Sequence, residues 1–196
     1  MLLIFVFGTL VITMNVESAE PEQVHLATNG ISGEMVVQWG TEEDTTAFCD
    51  SDNTVEYGTD PDSLNFSEEG NDDMYLWTTC THTTILSGLT SDTTYYYRVG
   101  GGGEWSSVFS FRTLEENPES IQIGAIADHG TSSNAQETTS NMVPVDFDLV
   151  IHAGDISYAN GAGSGNGIGD QSVWDEYQNQ IEMVASKSPH MYAPGN

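Results

Sequence analysis

Four residues in the second half of the chain have the chemistry of metal ligands. Asp128, Asp155 and Asn196 each stand at the end of an apolar segment. Tyr158 follows Asp155 by three residues and begins a Gly-rich loop. Two neighbouring carboxylates without a positive charge would repel each other, and one would tend to take up a proton. A bound cation removes that repulsion, and carboxylate and amide oxygens suit hard metal ions, so the pattern favours a metal site.

Each of these residues also has an ordinary structural interpretation. A single aspartate after a strand is most often a turn residue or a helix cap. That interpretation stays open for Asp128 and for Asp155 when each is taken alone. The combination of three strand ends with Tyr158 favours the metal site.

The segments that carry these residues are predicted to alternate between strands and helices. The predicted strands are 121–127, 147–154 and 190–194, and the predicted helices are 134–142 and 171–186. This order is typical of parallel βαβ units. The first two strands are almost entirely apolar, which predicts that both are buried. Adjacent parallel strands lie about 4.8 Å apart, and sites form beyond their carboxyl ends, so we expect the strand-end residues to converge.

The first half of the chain has a different pattern, with short strands separated by turn residues. The predicted strands are 35–40, 54–58, 83–89, 94–99 and 107–113. Runs rich in Val, Tyr, Phe and Thr at this spacing predict an antiparallel sandwich. Alternation places Tyr95, Tyr97 and Val99 on one strand face, and either tyrosine is a candidate for a tyrosine corner. Residues 114–120 have the composition of a linker.

The charge of the chain excludes some classes of partner. Three Lys+Arg face 30 Asp+Glu, for a formal net charge of −27. Binding to a phosphate backbone depends on Lys and Arg, so we expect no nucleic-acid partner and no anionic membrane surface. The acidic excess predicts a heavily solvated surface suited to saline surroundings. Calcium binding is the alternative, but no stretch has the spaced ligands of an EF-hand loop.

The N-terminus and the cysteines favour an exported protein. Residues 1–18 are largely apolar but too short for a span of roughly 20 residues, and they predict a signal peptide. We therefore expect a secreted, extracellular protein without a membrane span. Cys49 and Cys80 are candidates for a disulfide, which would stabilise by roughly 3–4 kcal/mol. Two unpaired apolar thiols are the alternative. Asn65 begins a glycosylation sequon.

Motif order gives the chain a specific resemblance. Ala127–Gly130 matches the pattern Gly-Asp-x-Gly apart from its first residue, Gly154–Tyr158 matches Gly-Asp-x-x-Tyr, and Gly195-Asn196 matches the start of Gly-Asn-His-Glu. The chain resembles the front part of a purple acid phosphatase, within the calcineurin-like metallophosphoesterase superfamily. The string Leu86–Val99 is similar to the fibronectin type III-like N-terminal domain of that family.

The resemblance implies two domains and a two-metal centre. Residues 19–113 would form the fibronectin type III-like sandwich, and residues 121–196 the start of an α/β metallophosphoesterase domain. Asp128 and Tyr158 would bind Fe(3+), Asp155 would bridge it to a divalent metal (Fe, Zn or Mn), and Asn196 would bind that divalent metal. The implied activity is acid phosphatase hydrolysis of small phosphomonoesters, and the resemblance allows a homodimer.

The family also needs imidazole ligands and an acid-base histidine, which lie beyond Asn196. The five histidines of this chain do not fit those roles, so we expect an N-terminal fragment that is inactive alone. His129 stands where the family has an apolar residue, and an exposed loop position is predicted for it, with contact to substrate or metal as the alternative. Two other functions stay open: a metallophosphodiesterase or nucleotide pyrophosphatase on the same scaffold, and a non-catalytic secreted binding protein.

Overall fold

The structure is a computed structural model that describes residues 20–42, 49, 53–75, 79–159 and 169–195. The predicted signal peptide, residues 1–18, and the candidate ligand Asn196 lie outside the described residues. None of the helices in the described part of the chain has the length and apolar character that a membrane span requires.

Nine strands form the first half of the described chain. They are β1 (Glu22–Ala27), β2 (Met35–Glu42), β3 (Thr54–Gly58), β4 (Phe66–Glu69), β5 (Asn71–Tyr75), β6 (Thr79–Leu86), β7 (Thr94–Gly101), β8 (Glu104–Trp105) and β9 (Phe109–Arg112). One sheet has the order β1-β2-β6-β5, and the other has the order β4-β3-β7-β8, with β9 also paired to β7. All pairs are antiparallel. The prediction of an antiparallel all-β domain is therefore confirmed.

The core of this sandwich comes from alternating residues of facing strands. Tyr95, Tyr97 and Val99 are buried along β7, whereas Tyr96 and Arg98 between them are half-buried, which confirms the predicted face. These side chains pack with apolar residues of the other strands in one cluster: Val24, Leu26, Met35, Val37, Trp39, Val55, Tyr57, Leu86, Leu89 and Phe111. The strand period of two is the reason that so short a segment can fill the core and still present a polar face to water.

Four strands were missed by the sequence pattern. β4 and β5 carry the sequences FSEE and NDDMY, and all four residues of β4 are exposed. Such polar strands have no apolar alternation to reveal them, and they form because neighbouring strands supply hydrogen-bond partners. β1 and the two-residue β8 were missed as well.

A disulfide joins Cys49 to Cys80, which is the second residue of β6, across a sequence separation of 31. The loop that it closes contains β3, β4 and β5. Constraining a loop of this length restricts the unfolded chain and thereby stabilises the folded one.

The second half of the chain alternates as predicted. Its elements are β10 (Ile123–Ile126), α1 (Ser133–Met142), β11 (Leu149–Ala153), α2 (Gln171–Ala185) and β12 (His190–Ala193). The strands form a parallel sheet in the order β10-β11-β12. Side chains cap the helix N-termini, since Ser132 accepts a hydrogen bond from the amide of Ala135 and Asp170 accepts one from Ser172.

Within the described residues, helices cover one face of this sheet and leave the other open. Met142 of α1, Val150 of β11 and Val184 of α2 pack in one cluster, so both helices lie on the same face. On the opposite face Ile123 is 45% exposed and Ile151 is 38% exposed. The prediction that the first two strands are buried is therefore wrong for one face, because no element in the described part of the chain packs against it.

Helix α2 joins the two regions. Tyr97 of β7 donates a hydrogen bond of 2.6 Å from its buried hydroxyl to the carbonyl of Ser186, just after α2. The amide of Val24 in β1 donates to Glu182 Oε2 at 3.2 Å. The Tyr95 hydroxyl instead accepts from the amide of Thr90 at 3.0 Å. Of the two tyrosine-corner candidates, Tyr95 has that geometry, and Tyr97 contacts the other region.

Candidate functional site

Two of the predicted ligands lie at the same edge of the parallel sheet. Asp128 follows the end of β10 by two residues, and Asp155 follows the end of β11 by two residues. The strand-end loops are joined by backbone hydrogen bonds. The amide of Gly130 donates to Ile156 O at 2.8 Å, and the amide of Gly154 donates to Ala193 O at 2.8 Å. The loops after β10, β11 and β12 are therefore in direct contact.

Tyr158 completes the group that the structure describes. Its hydroxyl donates a hydrogen bond of 3.0 Å to Asp128 Oδ1, and its side chain is 49% exposed. The hydrogen bond to Asp128, followed by burial and the negative charges of Asp128 and Asp155, raises the pKa of Tyr158. The phenol and the Asp128 carboxylate are therefore in direct contact, and the phenol keeps its proton unless a positive charge is supplied.

The backbone is unusual at all three of these residues. Asp128 has a φ of 51°, Asp155 of 44° and Tyr158 of 57°. The left-handed region is uncommon for residues other than glycine, and such conformations cost of order 1–3 kcal/mol each. Only two other non-glycine residues in the described ranges, Gln23 and Asp92, have positive φ. The concentration of this strain at the strand ends points to a functional constraint.

Glycines allow the loops to approach one another. A Cβ on Gly195 would overlap the carboxylate and the backbone nitrogen of Asp155, and one on Gly154 would lie 2.9 Å from Gly195 Cα. A Cβ on Gly130 would lie 3.2 Å from the ring of Tyr158. The glycines of the three motifs are therefore needed where the loops meet, because a larger residue would push Asp155 and Tyr158 away from their positions.

The cationic side chains of the chain are engaged elsewhere. Arg98 pairs with Glu56 at 2.6 Å, and Arg112 pairs with Asp92. Lys187 donates a hydrogen bond to the carbonyl of Val143. A bound cation is thus the simplest source of positive charge at the strand ends. The donor set of two carboxylates and a phenol consists of hard oxygens, which suit ferric iron. Among the described residues, no group of three or more His, Cys, Asp and Glu is arranged to hold a metal, so the set is partial.

Three of the histidines, His129, His152 and His190, lie beneath the strand-end group of Asp128, Asp155 and Tyr158. His129 is only 8% exposed, and its Nε2 lies 2.9 Å from Thr139 Oγ1 of α1. The prediction of an exposed loop histidine is therefore wrong: the Asp128 side chain points to the surface at Tyr158, and the next side chain points toward the helices. His152 and His190 are buried as well. Burial lowers the pKa of all three, that of His190 to about 3.

The pattern missed one connection. Tyr177 of α2 is fully buried, and its hydroxyl forms a hydrogen bond of 2.8 Å with His152 Nδ1. A histidine inside an otherwise apolar strand was the available signal, because a buried imidazole needs a hydrogen-bond partner.

Comparisons with known proteins agree with the order of the domains. A family model described as "Purple acid Phosphatase, N-terminal domain" matches residues 21–113. Acid phosphatase type 7 of Danio rerio is 27% identical, with 90% of this chain and 40% of that protein covered. The phosphoenolpyruvate phosphatase of Allium cepa is 30% identical, with 90% and 36% covered. The chain therefore spans only 36–40% of the length of these relatives.

Solved structures support the fold. Purple acid phosphatase PPD1 from yellow lupin (Lupinus luteus) seeds has a TM-score of 0.73 at 24% identity, covering 91% of this chain and 35% of that one. PhoD has a TM-score of 0.62 at 16% identity, with 92% and 40% covered. The described residues therefore share the architecture of these structures, and the all-β region is the domain that the family model matches. Residues 21–113 are thus identified as a purple acid phosphatase N-terminal domain, and over about 90% of its length the chain is similar to the N-terminal part of acid phosphatases of this kind.

Proposed function

We propose that this chain is the N-terminal part of an acid phosphatase that hydrolyses small phosphomonoesters at a two-metal centre. The observation that carries the proposal is the 3.0 Å contact between the Tyr158 phenol and the Asp128 carboxylate, beside a second carboxylate at Asp155. Relatives named as acid phosphatases support the reaction class.

In this proposal Asp128 and Tyr158 would hold Fe(3+), Asp155 would be shared between Fe(3+) and a divalent metal, and Asn196 would hold the divalent metal. When bound, the metal pair would ionise a water molecule and hold the substrate phosphate for in-line attack. Tyr158 must lose its proton to become a ligand. Because its pKa is raised in the absence of metal, iron binding releases that proton and weakens as the pH falls.

The test is to add ferric iron to the chain and record the visible absorption of an iron-bound tyrosinate. The chain is expected to develop the band, and Tyr158→Phe is expected to abolish it. Tyr96→Phe, a tyrosine of the outer face of β7, is the matched control and should keep the band. Absence of the band in the unmodified chain, or its persistence in Tyr158→Phe, would contradict the proposed ligand set.

The fragment by itself is proposed to be inactive, because it has no imidazole at the strand ends in the part of the chain that the structure describes. Hydrolysis of a phosphomonoester by the purified chain, in the presence of iron and zinc, would overturn this point. A comparison with a phosphodiester in the same assay would test the alternative substrate class.

We also propose that the protein is exported. The disulfide between Cys49 and Cys80 suits an oxidising compartment, and the sequon residue Asn65 is exposed. Expression in a secretory eukaryotic host should release a protein whose N-terminus starts near residue 19. Glycosidase treatment should lower the mass of the unmodified protein but not that of an Asn65→Gln variant. Retention of residues 1–18 in the released protein would contradict the proposal.

A further inference from the structure

Beneath the two carboxylate loops lies a buried group of aromatic side chains from three elements. His129 follows Asp128 directly, His152 precedes Asp155 by three residues, and Tyr177 comes from α2. The rings are in mutual contact, with centroids 5.9 Å apart for His129 and His152, 6.1 Å for His129 and Tyr177, and 5.8 Å for His152 and Tyr177. The proposed ligand set uses none of them.

The hydrogen bond between Tyr177 and His152 holds the end of the strand that leads into one loop. Both side chains are fully buried, and the bond of 2.8 Å uses His152 Nδ1. His152 is the fourth residue of β11 and precedes Asp155 by three residues. A restraint on this side chain therefore restrains the strand end from which the Asp155 loop begins.

A second contact from the same helix fixes the other loop. Gln180 Nε2 donates a hydrogen bond of 3.3 Å to the carbonyl of Gly130, two residues after Asp128. Tyr177 and Gln180 are three residues apart in α2, and residues at this spacing lie on one helix face. One face of α2 thus contacts the end of β11, which leads into the Asp155 loop, and the loop that carries Asp128.

We infer that α2 sets the separation of the two carboxylate loops, with Tyr177, His152 and Gln180 as positioning residues. Together these three residues form the α2 support. The inference rests on the proposed metal site for its functional meaning, because the separation of Asp128 and Asp155 decides whether one cation contacts both. Partners of this kind, behind metal ligands, typically change metal affinity by roughly 10–100-fold when they are removed.

The principal variant is Tyr177→Phe, which keeps the ring and removes only the hydroxyl. Tyr97→Phe is the matched control: it also removes the hydroxyl of a fully buried tyrosine and one hydrogen bond of 2.6 Å, but at the junction with the sandwich. Gln180→Met is a second variant at a half-buried position. It keeps the helix and should act on the Asp128 loop alone.

The first measurement is amide hydrogen exchange of the full 196-residue chain without metal. Tyr177→Phe is expected to accelerate exchange at Gly154 and in the Asp155 loop, Gln180→Met is expected to do so at Gly130, and Tyr97→Phe should change neither loop. The inference would be overturned if each loop exchanged at the same rate in Tyr177→Phe as in Tyr97→Phe.

The second measurement is the ferric iron titration, read by the visible band. Tyr177→Phe is expected to weaken the apparent affinity about tenfold and to shift the band, whereas Tyr97→Phe should stay within about twofold of the unmodified chain. An unchanged affinity and band in Tyr177→Phe would overturn the inference. If the loop-specific exchange effect is seen but the band never develops, the positioning role of α2 is upheld. The same result contradicts the proposed metal site.

Discussion

The sandwich and the parallel sheet differ in how their apolar faces are covered. In the sandwich, two antiparallel sheets bury their inner faces against each other, and one continuous cluster fills the space. The parallel sheet has helices on one face only, where two smaller clusters form, and Ile123 and Ile151 stay exposed on the other. Parallel sheets are ordinarily covered on both faces. The sandwich is thus complete within the described residues, and the parallel region is not.

The two regions also differ in where polar groups are buried. In the sandwich the hydroxyls of Tyr95 and Tyr97 have backbone partners, and Trp39 Nε1 is a buried donor without one among the described residues. More such atoms lie beneath the parallel sheet, where both ring nitrogens of His190 and Nε2 of His152 have no hydrogen-bond partner among the described residues. Buried polar atoms without partners lower stability. We therefore expect the sandwich to dominate the stability of the chain, and the parallel region to be more sensitive to solution conditions.

The largest expected effect compares one apolar truncation in each region. Leu86→Ala removes a fully buried side chain from the sandwich and should lower the free energy of unfolding by about 2–5 kcal/mol. Ile151→Ala acts on the exposed face and should cost less than about 1 kcal/mol, because much of that side chain already contacts water. Urea denaturation of both variants measures the difference. Equal losses would mean that the face of Ile151 is covered in solution.

The disulfide should stabilise the sandwich alone. Reduction, or the double substitution Cys49→Ser and Cys80→Ser, is expected to cost roughly 3–4 kcal/mol through the greater freedom of the unfolded chain. Hydrogen exchange resolves the regions: amides of β2 and β6 should exchange faster, and those of β11 should change little. Faster exchange in β11 by the same factor would show that the regions unfold as one unit.

Acid should destabilise the parallel region first. Burial, and then the neighbouring imidazoles, lowers the pKa of His190 to about 3, below its ordinary value of about 6.5. The unfolded chain therefore binds more protons between these values, and the stability present above pH 6.5 is lost as the pH falls toward 3. His190→Leu should reduce the slope of unfolding free energy against pH in that window. A slope identical to that of the unmodified chain would show that His190 is not the group that causes the loss of stability in acid.

The smallest effect is expected at the junction of the two regions. Burial, and then the charge of Glu22, raises the pKa of Glu182, although the amides of Val24 and Gln23 partly offset this. A raised carboxyl pKa means that the stabilisation is fully present below the ordinary value of 4.5 and is lost as the pH rises from there through the raised pKa of the folded chain. Glu182→Gln keeps an acceptor for Val24 and should stabilise the chain at pH 7 but not at pH 4. Exchange of the β1 amides reports the change locally.

Much of the fold follows from local patterns. The alternation of Tyr95, Tyr97 and Val99 predicts the buried face of β7, since a strand has only two faces. The order of β10, α1, β11, α2 and β12 follows from apolar runs separated first by a polar segment with helical potential and then by an amphipathic one. Sequence motifs also identify Asp128, Asp155 and Tyr158 as a candidate group. The polar strands β4 and β5 could not be predicted, because their pairing depends on neighbouring strands and not on their own side chains.

The sequence by itself determined which residues have the right chemistry, because ligand types and their spacing along the chain are local properties. Only the tertiary structure decided their surroundings. It placed His129 inside against Thr139, directed the Tyr97 hydroxyl to Ser186, and set Tyr177 beneath His152. These contacts join residues that are 10 to 89 positions apart in the chain. Their geometry depends on how the strands and helices pack, which no local pattern records.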